Sequence, residues 1–254
     1  MMDDRHTHIP DSGHSPVRSA FLRLSLFCGL STLGCFLLLL FRVILTGSVL
    51  YSFLAWNLLL AWIPFILSVG LVWLVRRIPG RRRLTAAVVA VGILWLLFYP
   101  NAPYILTDFI YVIRFPFPRR AAGGLVGPRS LLWYDIVLNA SFSFLGHLLG
   151  LISLVLVHRT LGRLLSPLVG WAAVCASVLL GGYGIYLGRF IRLNSWNVFT
   201  HPFSTLRSIF VAILDLKAVL FTLCFGFFIF LTYLVVYALH CVNTDALPGR
   251  RETE

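Results

Sequence analysis

Six long stretches without Asp, Glu, Lys or Arg divide this chain, and they constrain its fold more than any other feature. They are Leu24–Phe41, Val43–Val75, Leu84–Thr107, Ile136–His158, Leu164–Gly188 and Ala218–Thr244. A helix needs about 20 apolar residues to cross roughly 30 Å of hydrocarbon. Only 12% of the residues are charged, whereas a soluble domain has roughly 25%. The sequence therefore predicts an all-α, polytopic transmembrane bundle of six spans.

The lengths of these stretches also predict the domain organisation. Val43–Val75 is longer than one crossing requires, so we expect its helix to begin near Tyr51. Residues 1–19 are polar and contain Pro10, Gly13 and Pro16, which predicts a disordered tail. The apolar stretch after them is too long for the core of a signal peptide, so we expect it to be retained as the first span. We expect a six-span domain over 20–240, short outer re-entrant or interfacial helices, and a second tail over 241–254.

The segment from Arg76 to Arg83 orients the chain, because five of its eight residues are arginine. Short loops rich in arginine stay in the cytoplasm. Counting crossings from this loop places both termini in the cytoplasm, and Asp108, Asp135 and Asp215 on the outer side. The inner segments then carry 12 basic residues and the outer segments nine. We therefore expect a multi-pass protein of the plasma membrane.

The formal net charge of +12 does not indicate a nucleic-acid partner. The arginines lie at the ends of apolar stretches, whereas a nucleic-acid surface gathers them on one soluble side. The five cysteines occur singly, without a C-x-x-C pair, and are typical small residues of a buried setting. We expect no metal site, and the sequence indicates no particular cofactor.

The candidate site begins at Tyr99–Asp108 (YPNAPYILTD), where an apolar span meets two prolines and then an aspartate. We expect a helix break here, with Asn101 as a helix cap and a short helix from Pro103 to about Arg114. That helix would place Tyr104, Asp108 and Tyr111 on one side. The prolines and glycines of Phe115–Arg129 predict a loop after it.

Other polar and small residues lie at the same predicted edge of the membrane. Arg189 and Arg192 are three residues apart, which predicts one helical side for both. Ser177, Gly181, Gly184 and Gly188 have the spacing that admits a second helix. Phe203–Leu214 predicts an interfacial amphipathic helix with Arg207 on its polar side.

Asn57 and His147 are two of the polar residues that fall within predicted spans. An asparagine in a membrane most often bonds to another helix, and we expect this of Asn57. His147 is a functional candidate by its position, although a hydrogen bond to a neighbouring helix is the simpler expectation.

Two hypotheses account for the polar outer residues. In the first, Asp108 or Asp135 pairs with Arg189 or Arg192 and holds helix ends together. In the second, the residues line an outward-facing pocket in which arginines grip a phosphate or carboxylate. The candidate ligand-binding residues are Asn101, Tyr104, Asp108, Asp135, Arg189, Arg192, Asn194 and Trp196.

Three classes of function stay open at this point. In the first class, the chain is a binding or transport protein for an anionic small molecule or a lipid head group. In the second, it is an outer-leaflet transferase or hydrolase with Asp108 or Asp135 as its catalytic group. In the third, it is a structural partner without a ligand. No signature of a known catalytic class is present. The lipid bilayer is the one partner that the sequence itself predicts, and the oligomeric state is open.

Three motifs together resemble an uncharacterised family of bacterial polytopic membrane proteins, known as a domain of unknown function. The motifs are PNAPYILTD, WYD and GRFIRLNSW, and the similarity covers roughly Arg42–Leu239. The matching positions are Asn101, Pro103, Tyr104, Thr107, Asp108, Trp133, Tyr134, Asp135, Gly188, Arg189, Arg192, Asn194, Ser195 and Trp196. The family's last motif ends in aspartate, where this chain has Asn197, so a mechanism that needs an ionised group there is not expected. The resemblance implies a shared outer surface in a bacterial inner membrane, and it implies no activity.

Overall fold

The structure is a computed structural model that describes residues 16–114 and 127–245. Both ranges are helical, with no strand in either. The helices are α1 (Pro16–Thr46), α2 (Ser52–Arg77), α3 (Arg81–Phe98), α4 (Asn101–Tyr104), α5 (Ile110–Arg114), α6 (Pro128–Leu164), α7 (Pro167–Tyr186), α8 (Asn197–Thr200), α9 (Pro202–Ile213) and α10 (Leu216–Asp245). A 3₁₀ turn, Ile105–Phe109, follows α4, and a π-helical turn, Leu187–Ile191, follows α7.

Six segments of the described chain are long and apolar enough to cross a membrane, and they confirm the six predicted spans. They are Phe21–Thr46, Ser52–Arg77, Arg81–Arg114, Ser130–Leu164, Pro167–Ile191 and Leu216–Cys241. The second span begins at Ser52, close to the predicted Tyr51. Before it, Gly47 has a φ of +63°, which turns the chain after α1.

Helix α6 is the centre of the bundle and α3 lies at its margin. In the apolar 18-residue stretch of the span Ser130–Leu164, which lies in α6, 67% of the residues are buried inside the protein. In the span Arg81–Arg114, which contains α3, the share is 11%. Helix α6 packs against α1, α2, α7 and α10, whereas α3 packs mainly along α2. The bundle has two ends, which we call the Asp108 end and the arginine-loop end, the latter formed by residues 76–83.

The predicted helix break at Tyr99–Asp108 is present as a turn at Tyr99 and Pro100 between α3 and α4, followed by the 3₁₀ turn. Tyr99 and Pro100 have right-handed helical dihedrals, and the Tyr104 amide donates to the Pro100 carbonyl at 3.0 Å. The expected cap at Asn101 is wrong, because Asn101 is the first residue of α4 and makes no capping bond. Its side chain instead donates to the Phe98 carbonyl at 2.9 Å and to Ser195 Oγ at 3.0 Å.

Helix α4 and the 3₁₀ turn lie between glycines of α6 and α7. A Cβ placed on Gly150 would lie 2.8 Å from the Ala102 Cβ, and one on Gly146 would lie 2.8 Å from Ile105. On the opposite side, a Cβ on Gly184 would lie 2.5 Å from Pro100. Real Cβ atoms do not approach other atoms this closely, so these positions need glycine for α4 to enter the bundle.

Helix α7 uses a different glycine against α10. A Cβ on Gly182 would lie 2.6 Å from the Thr222 carbonyl oxygen and 3.0 Å from the Gly226 amide nitrogen. Both neighbours are backbone atoms, so the two helices are in direct main-chain contact. Of the predicted small-residue spacing, Gly184 marks the close approach of Pro100, whereas the contact with α10 is made by Gly182, which lies outside that spacing.

Helix α9 exposes its large apolar residues and buries small ones. Phe203 and Phe210 are exposed, whereas Thr205 and Ala212 are buried. Arg207 is also exposed.

Three predicted features lie wholly or partly outside the described residues. The predicted tails, 1–19 and 241–254, fall mostly there, with α1 starting at Pro16 and α10 reaching Asp245. Most of the predicted loop Phe115–Arg129 falls there as well, and α6 starts at Pro128.

A methyl group at Gly182 tests the contact between α7 and α10. We expect Gly182→Ala to destabilise the purified protein by about 1–3 kcal/mol, because the backbone of α10 has to move away. Thermal unfolding in detergent measures this change. Gly92→Ala is the matched control, since a Cβ at Gly92 meets nothing within 4 Å. Equal melting temperatures for the two variants would contradict the contact.

Candidate functional site

The polar residues of the Asp108 end form two separate buried ion pairs and not one cluster. Asp108 pairs with Arg189 at 2.6 Å, and Asp135 pairs with Arg42 at 2.9 Å. The prediction that Asp108 meets Arg189 is confirmed. The prediction that Asp135 meets Arg189 or Arg192 is wrong, because Arg42 at the end of α1 takes that place.

Asp108 is held by a side chain on each of its oxygens. Arg189 Nη2 donates to Oδ1 at 2.6 Å, and Asn57 Nδ2 donates to Oδ2 at 2.7 Å. The aspartate side chain is 1% exposed. The bond from Asn57 is the interhelical bond expected for it, and it fixes α2 against the 3₁₀ turn.

Arg189 is surrounded by the motif that it was predicted to meet. Its Nε donates to Thr107 Oγ1 at 3.0 Å, its Nη1 donates to the Tyr111 hydroxyl at 3.1 Å, and its Nη2 also donates to Thr107. Its guanidinium carbon lies 4.7 Å from the centre of the Tyr104 ring, a cation–π distance. Tyr104, Asp108 and Tyr111 therefore do share one side of their helical segment, as predicted.

The second pair joins α1 to α6. Arg42 Nε donates to Asp135 Oδ1 at 2.9 Å and Nη2 donates to Oδ2 at 3.2 Å. The arginine is 1% exposed and lies 4.5 Å from the centre of the Tyr51 ring. Burial, together with the nearby Asp135 charge, raises the pKa of Tyr51 to about 12, so this phenol stays neutral.

Arg192 does not share a helical side with Arg189, which corrects the prediction for this pair. The π-helical turn ends at Ile191, and Arg192 follows it with a left-handed φ of +61°. Its side chain is exposed and makes no hydrogen bond or ion pair with the described residues. A fork of two arginines is therefore absent from the described site.

The third aspartate, Asp215, lies before α10. The Tyr186 hydroxyl donates to its Oδ2 at 2.8 Å, and the Lys217 amide donates to its Oδ1 at 3.0 Å. These bonds, the Tyr186 bond above all, hold the pKa of Asp215 below its usual range. The aspartate thereby ties the end of α7 to the start of α10.

His147 makes the interhelical hydrogen bond expected of it. Its Nε2 lies 2.9 Å from Thr232 Oγ1 on α10. Its Nδ1 is buried and has no hydrogen-bond partner among the described residues.

A cavity of about 520 Å³ lies beside the Asp108 pair. It is bounded by α2, by α3 and α4, by α7, and by residues 193–213. Its polar lining residues gather at the Asp108 end, and its deeper walls are apolar. The polar lining consists of Asn57, Asn101, Tyr104, Tyr183, Asn194, Ser195 and Thr205, with the Tyr183 hydroxyl donating to the Ile209 carbonyl, whereas Leu60, Ile93, Leu96 and Leu180 are among the deeper residues.

The cavity divides the predicted ligand-binding residues. Asn101, Tyr104 and Asn194 line it, and Trp196 packs edge-on against the lining residue Trp56 with ring centres 6.4 Å apart. Asp108 and Arg189 lie behind the wall that Asn57 and Tyr104 form. Asp135 and Arg192 do not line it, and none of its described lining residues is charged.

Sequence reasoning missed Arg42 and Trp56. Arg42 stands at the end of a span, where arginines are common, and only its contact with Asp135 separates it from the others. Trp56 is an exposed aromatic residue of α2, and aromatic residues at a membrane edge are common as well.

The geometry restricts the chemistry of the two candidate carboxylates. Each has both oxygens bonded to cationic or amide donors, and each is almost fully buried. Such a carboxylate is a poor general base, because abstracting a proton requires a free oxygen within reach of substrate. Within the described residues, no group of three His, Cys, Asp or Glu side chains is arranged to hold a metal ion.

The helices and their composition define an integral, multi-pass membrane protein. Residues 56–232, more than half of the chain, match the family described as "Protein of unknown function (DUF1361)", and the chain belongs to that family. This confirms the predicted resemblance to a domain of unknown function. Neither a curated protein nor a solved structure matches the chain.

The Arg42–Asp135 pair is expected to stabilise the fold, and variants test this. Asp135→Asn and Arg42→Gln should each cost about 3–5 kcal/mol, because each leaves a buried charge without its partner. The double variant Arg42→Met with Asp135→Leu should recover much of that loss. Thermal unfolding and folded yield measure the effect.

Arg76→Gln is the control for these variants, since Arg76 is exposed. A double variant that loses as much stability as the two single variants combined would show that the two side chains act independently.

Proposed function

We propose that this protein binds a membrane amphiphile, as a carrier or as a binding protein, in the cavity beside Asp108. The observation that carries the proposal is the distribution of groups along that cavity. Polar side chains line its Asp108 end and apolar side chains line its deeper part. A molecule with one polar end and one hydrocarbon chain matches both parts.

Two side chains at the polar end are available to a ligand. The Tyr104 hydroxyl and the Asn194 amide make no hydrogen bond with the described residues. Asn101 and Ser195 are already bonded to each other and to carbonyl groups. Tyr104 and Asn194 therefore supply the donors and acceptors that recognise the polar end.

The charge of the lining favours an uncharged polar group, such as a hydroxyl or an ester. The guanidinium of Arg189 donates hydrogen bonds to Thr107, Tyr111 and Asp108, and the Asp108 carboxylate balances its charge. Anion binding would require this buried pair to open, at the cost of leaving Asp108 unpaired. The cavity thus supports the lipid form of the binding hypothesis more than the form with a free anion.

The enzyme hypothesis gains no support from the described residues, because Asp108 and Asp135 do not reach the cavity. The structural hypothesis accounts for the ion pairs themselves. It leaves unexplained the polar end of the cavity, where the Tyr104 hydroxyl and the Asn194 side-chain amide make no hydrogen bond with the described residues.

We further propose that the Asp108 end faces outward from a bacterial inner membrane, with both termini in the cytoplasm. The arginine-loop end supports this orientation through its five arginines, and the Asp108 end then contains every acidic residue whose side chain the structure describes. On this proposal the six-span domain over 20–240 is flanked by two cytoplasmic tails.

Reporter fusions test the orientation. A fusion after Arg83 should report the cytoplasm and a fusion after Gly127 the outer side, because one span separates them. The two fusions reporting the same side would refute the six-span topology. The reverse assignment of sides would refute only the orientation.

Photo-crosslinking tests the cavity. Purified full-length protein in lipid nanodiscs is exposed to a photoactivatable monoacylglycerol, and labelled peptides are quantified. Tyr104→Phe removes one hydroxyl and keeps the ring between Gly188 and Arg189, so we expect a loss of about 1 kcal/mol, or roughly fivefold in affinity. Leu180→Trp should abolish labelling by filling the apolar part.

Leu179→Trp is the matched control for Leu180→Trp. The two leucines are neighbours on α7 with exposures of 44% and 45%, and only Leu180 lines the cavity. Asp108→Asn should lower the yield of folded protein without lowering the labelling of each folded molecule. Equal labelling of the Leu179 and Leu180 variants would overturn the proposed site.

A further inference from the structure

A second cavity, about 630 Å³ in volume, lies between α3 and the helices α6 and α7 at the arginine-loop end. We infer that it is a binding site for an anionic phospholipid, whose phosphate contacts Arg81 and whose acyl chain fills the cavity. The two cavities share Ile93 and Leu96 in their apolar walls, but different residues form their polar ends, and the inference rests on the end at Arg81.

The shape of the second cavity suits a hydrocarbon chain. Its lining on α3 extends from Arg81 to Leu96, which is about 22 Å at 1.5 Å per residue. The walls from α6 and α7 are mostly apolar, with Leu161 and Leu165 near the arginine-loop end. The cavity therefore runs from the end of a span to beyond the middle of the membrane.

The second cavity exists because small residues on α3 and α7 leave space between the two helices. Ala173, Ala176 and Ser177 line it from α7, and Gly92 lines it from α3. A Cβ on Gly92 would meet nothing within 4 Å. Trp95 then bridges α3 to α6 through a bond from its Nε1 to Ser153 Oγ at 3.3 Å, and closes the deep end.

The positive charge of Arg81 at the open end of the cavity favours binding of an anion from outside the protein. Arg81 lines the cavity, and its guanidinium makes no hydrogen bond or ion pair with the described residues. The acids whose side chains the structure describes, Asp108, Asp135 and Asp215, all lie at the opposite end. A juxtamembrane arginine near an anionic lipid surface gains about 1 kcal/mol.

An anionic lipid matches both the positive charge of Arg81 and the apolar walls of the cavity, whereas a free phosphate matches only the charge. An inorganic anion would reach Arg81 and leave the apolar walls unfilled. A neutral lipid would fill the walls and leave the arginine without a counter-charge. A zwitterionic phospholipid also has a phosphate and acyl chains, but its own cationic group balances that phosphate, so the positive charge of Arg81 favours an anionic phospholipid of the leaflet at the arginine-loop end.

Native mass spectrometry of the full-length protein tests the inference. The protein is released from nanodiscs that contain equal amounts of phosphatidylglycerol and phosphatidylcholine, and the retained lipids are counted. Arg81→Gln should lower the ratio of retained phosphatidylglycerol to phosphatidylcholine about fivefold, the loss expected for one arginine. Arg82→Gln removes the same charge one residue away, outside the cavity lining, and should lower the ratio less than Arg81→Gln does.

A second pair of variants tests the chain-binding part. Gly92→Leu fills the cavity and should remove the retained phosphatidylglycerol, whereas Gly70→Leu, on α2 with similarly open surroundings, should not. Equal ratios for the Arg81 and Arg82 variants would overturn the inference, as would full retention in Gly92→Leu. Either failure leaves the labelling at Tyr104 and Leu180 unaffected, so the two sites are judged separately.

Discussion

The close approach of the Tyr99–Ile105 segment to glycines on α6 and α7 determines the rest of this structure. Helix α4 can lie between α2, α6 and α7 because Gly146, Gly150 and Gly184 present no side chain. Once α4 is there, the following turn brings Asp108 to Asn57 and Arg189. Helix α3 meanwhile packs mainly along α2, and the space it leaves against α7 forms the two cavities.

Electrostatics inside the bundle are arranged so that the buried charges cancel in pairs. Arg42 neutralises Asp135 and Arg189 neutralises Asp108, each within hydrogen-bond distance. Isolated charges would be very costly at these depths, and pairing with additional hydrogen bonds offsets much of that cost. Since the pairs satisfy one another, the adjoining cavity has a polar end without a net charge. If the cavity binds an amphiphile as proposed, recognition there would use hydrogen bonds to an uncharged group.

The spans could be predicted from the sequence because length and hydropathy alone decide whether a helix crosses a membrane. The pairing of Asp108 with Arg189 was one of the four pairings that the crossing count allowed, since it put both aspartates and both arginines at one end. The partner of Asp135 could not be predicted. In the sequence, Arg42 is one of several arginines at the end of a span, and only the packing of α1 beside α6 shows that it meets Asp135. The cavity could not be predicted either, since it depends on which glycine meets which proline across the bundle. Arg192 was misplaced because the prediction assumed that the α-helical period continues past Tyr186.

The π-helical turn at Leu187–Ile191 makes the direction of the Arg189 side chain depend on the number of residues in the turn as well as on their types. A π turn holds one more residue than the α turn it replaces, so the side chains within it, Arg189 among them, are rotated relative to their positions in an uninterrupted α-helix. Removing one residue from the turn would rotate the following side chains by about 100°. Insertions and deletions between Tyr186 and Arg189 are therefore expected to be less tolerated than substitutions, because a change of length redirects the guanidinium whereas a change of side chain leaves its direction intact.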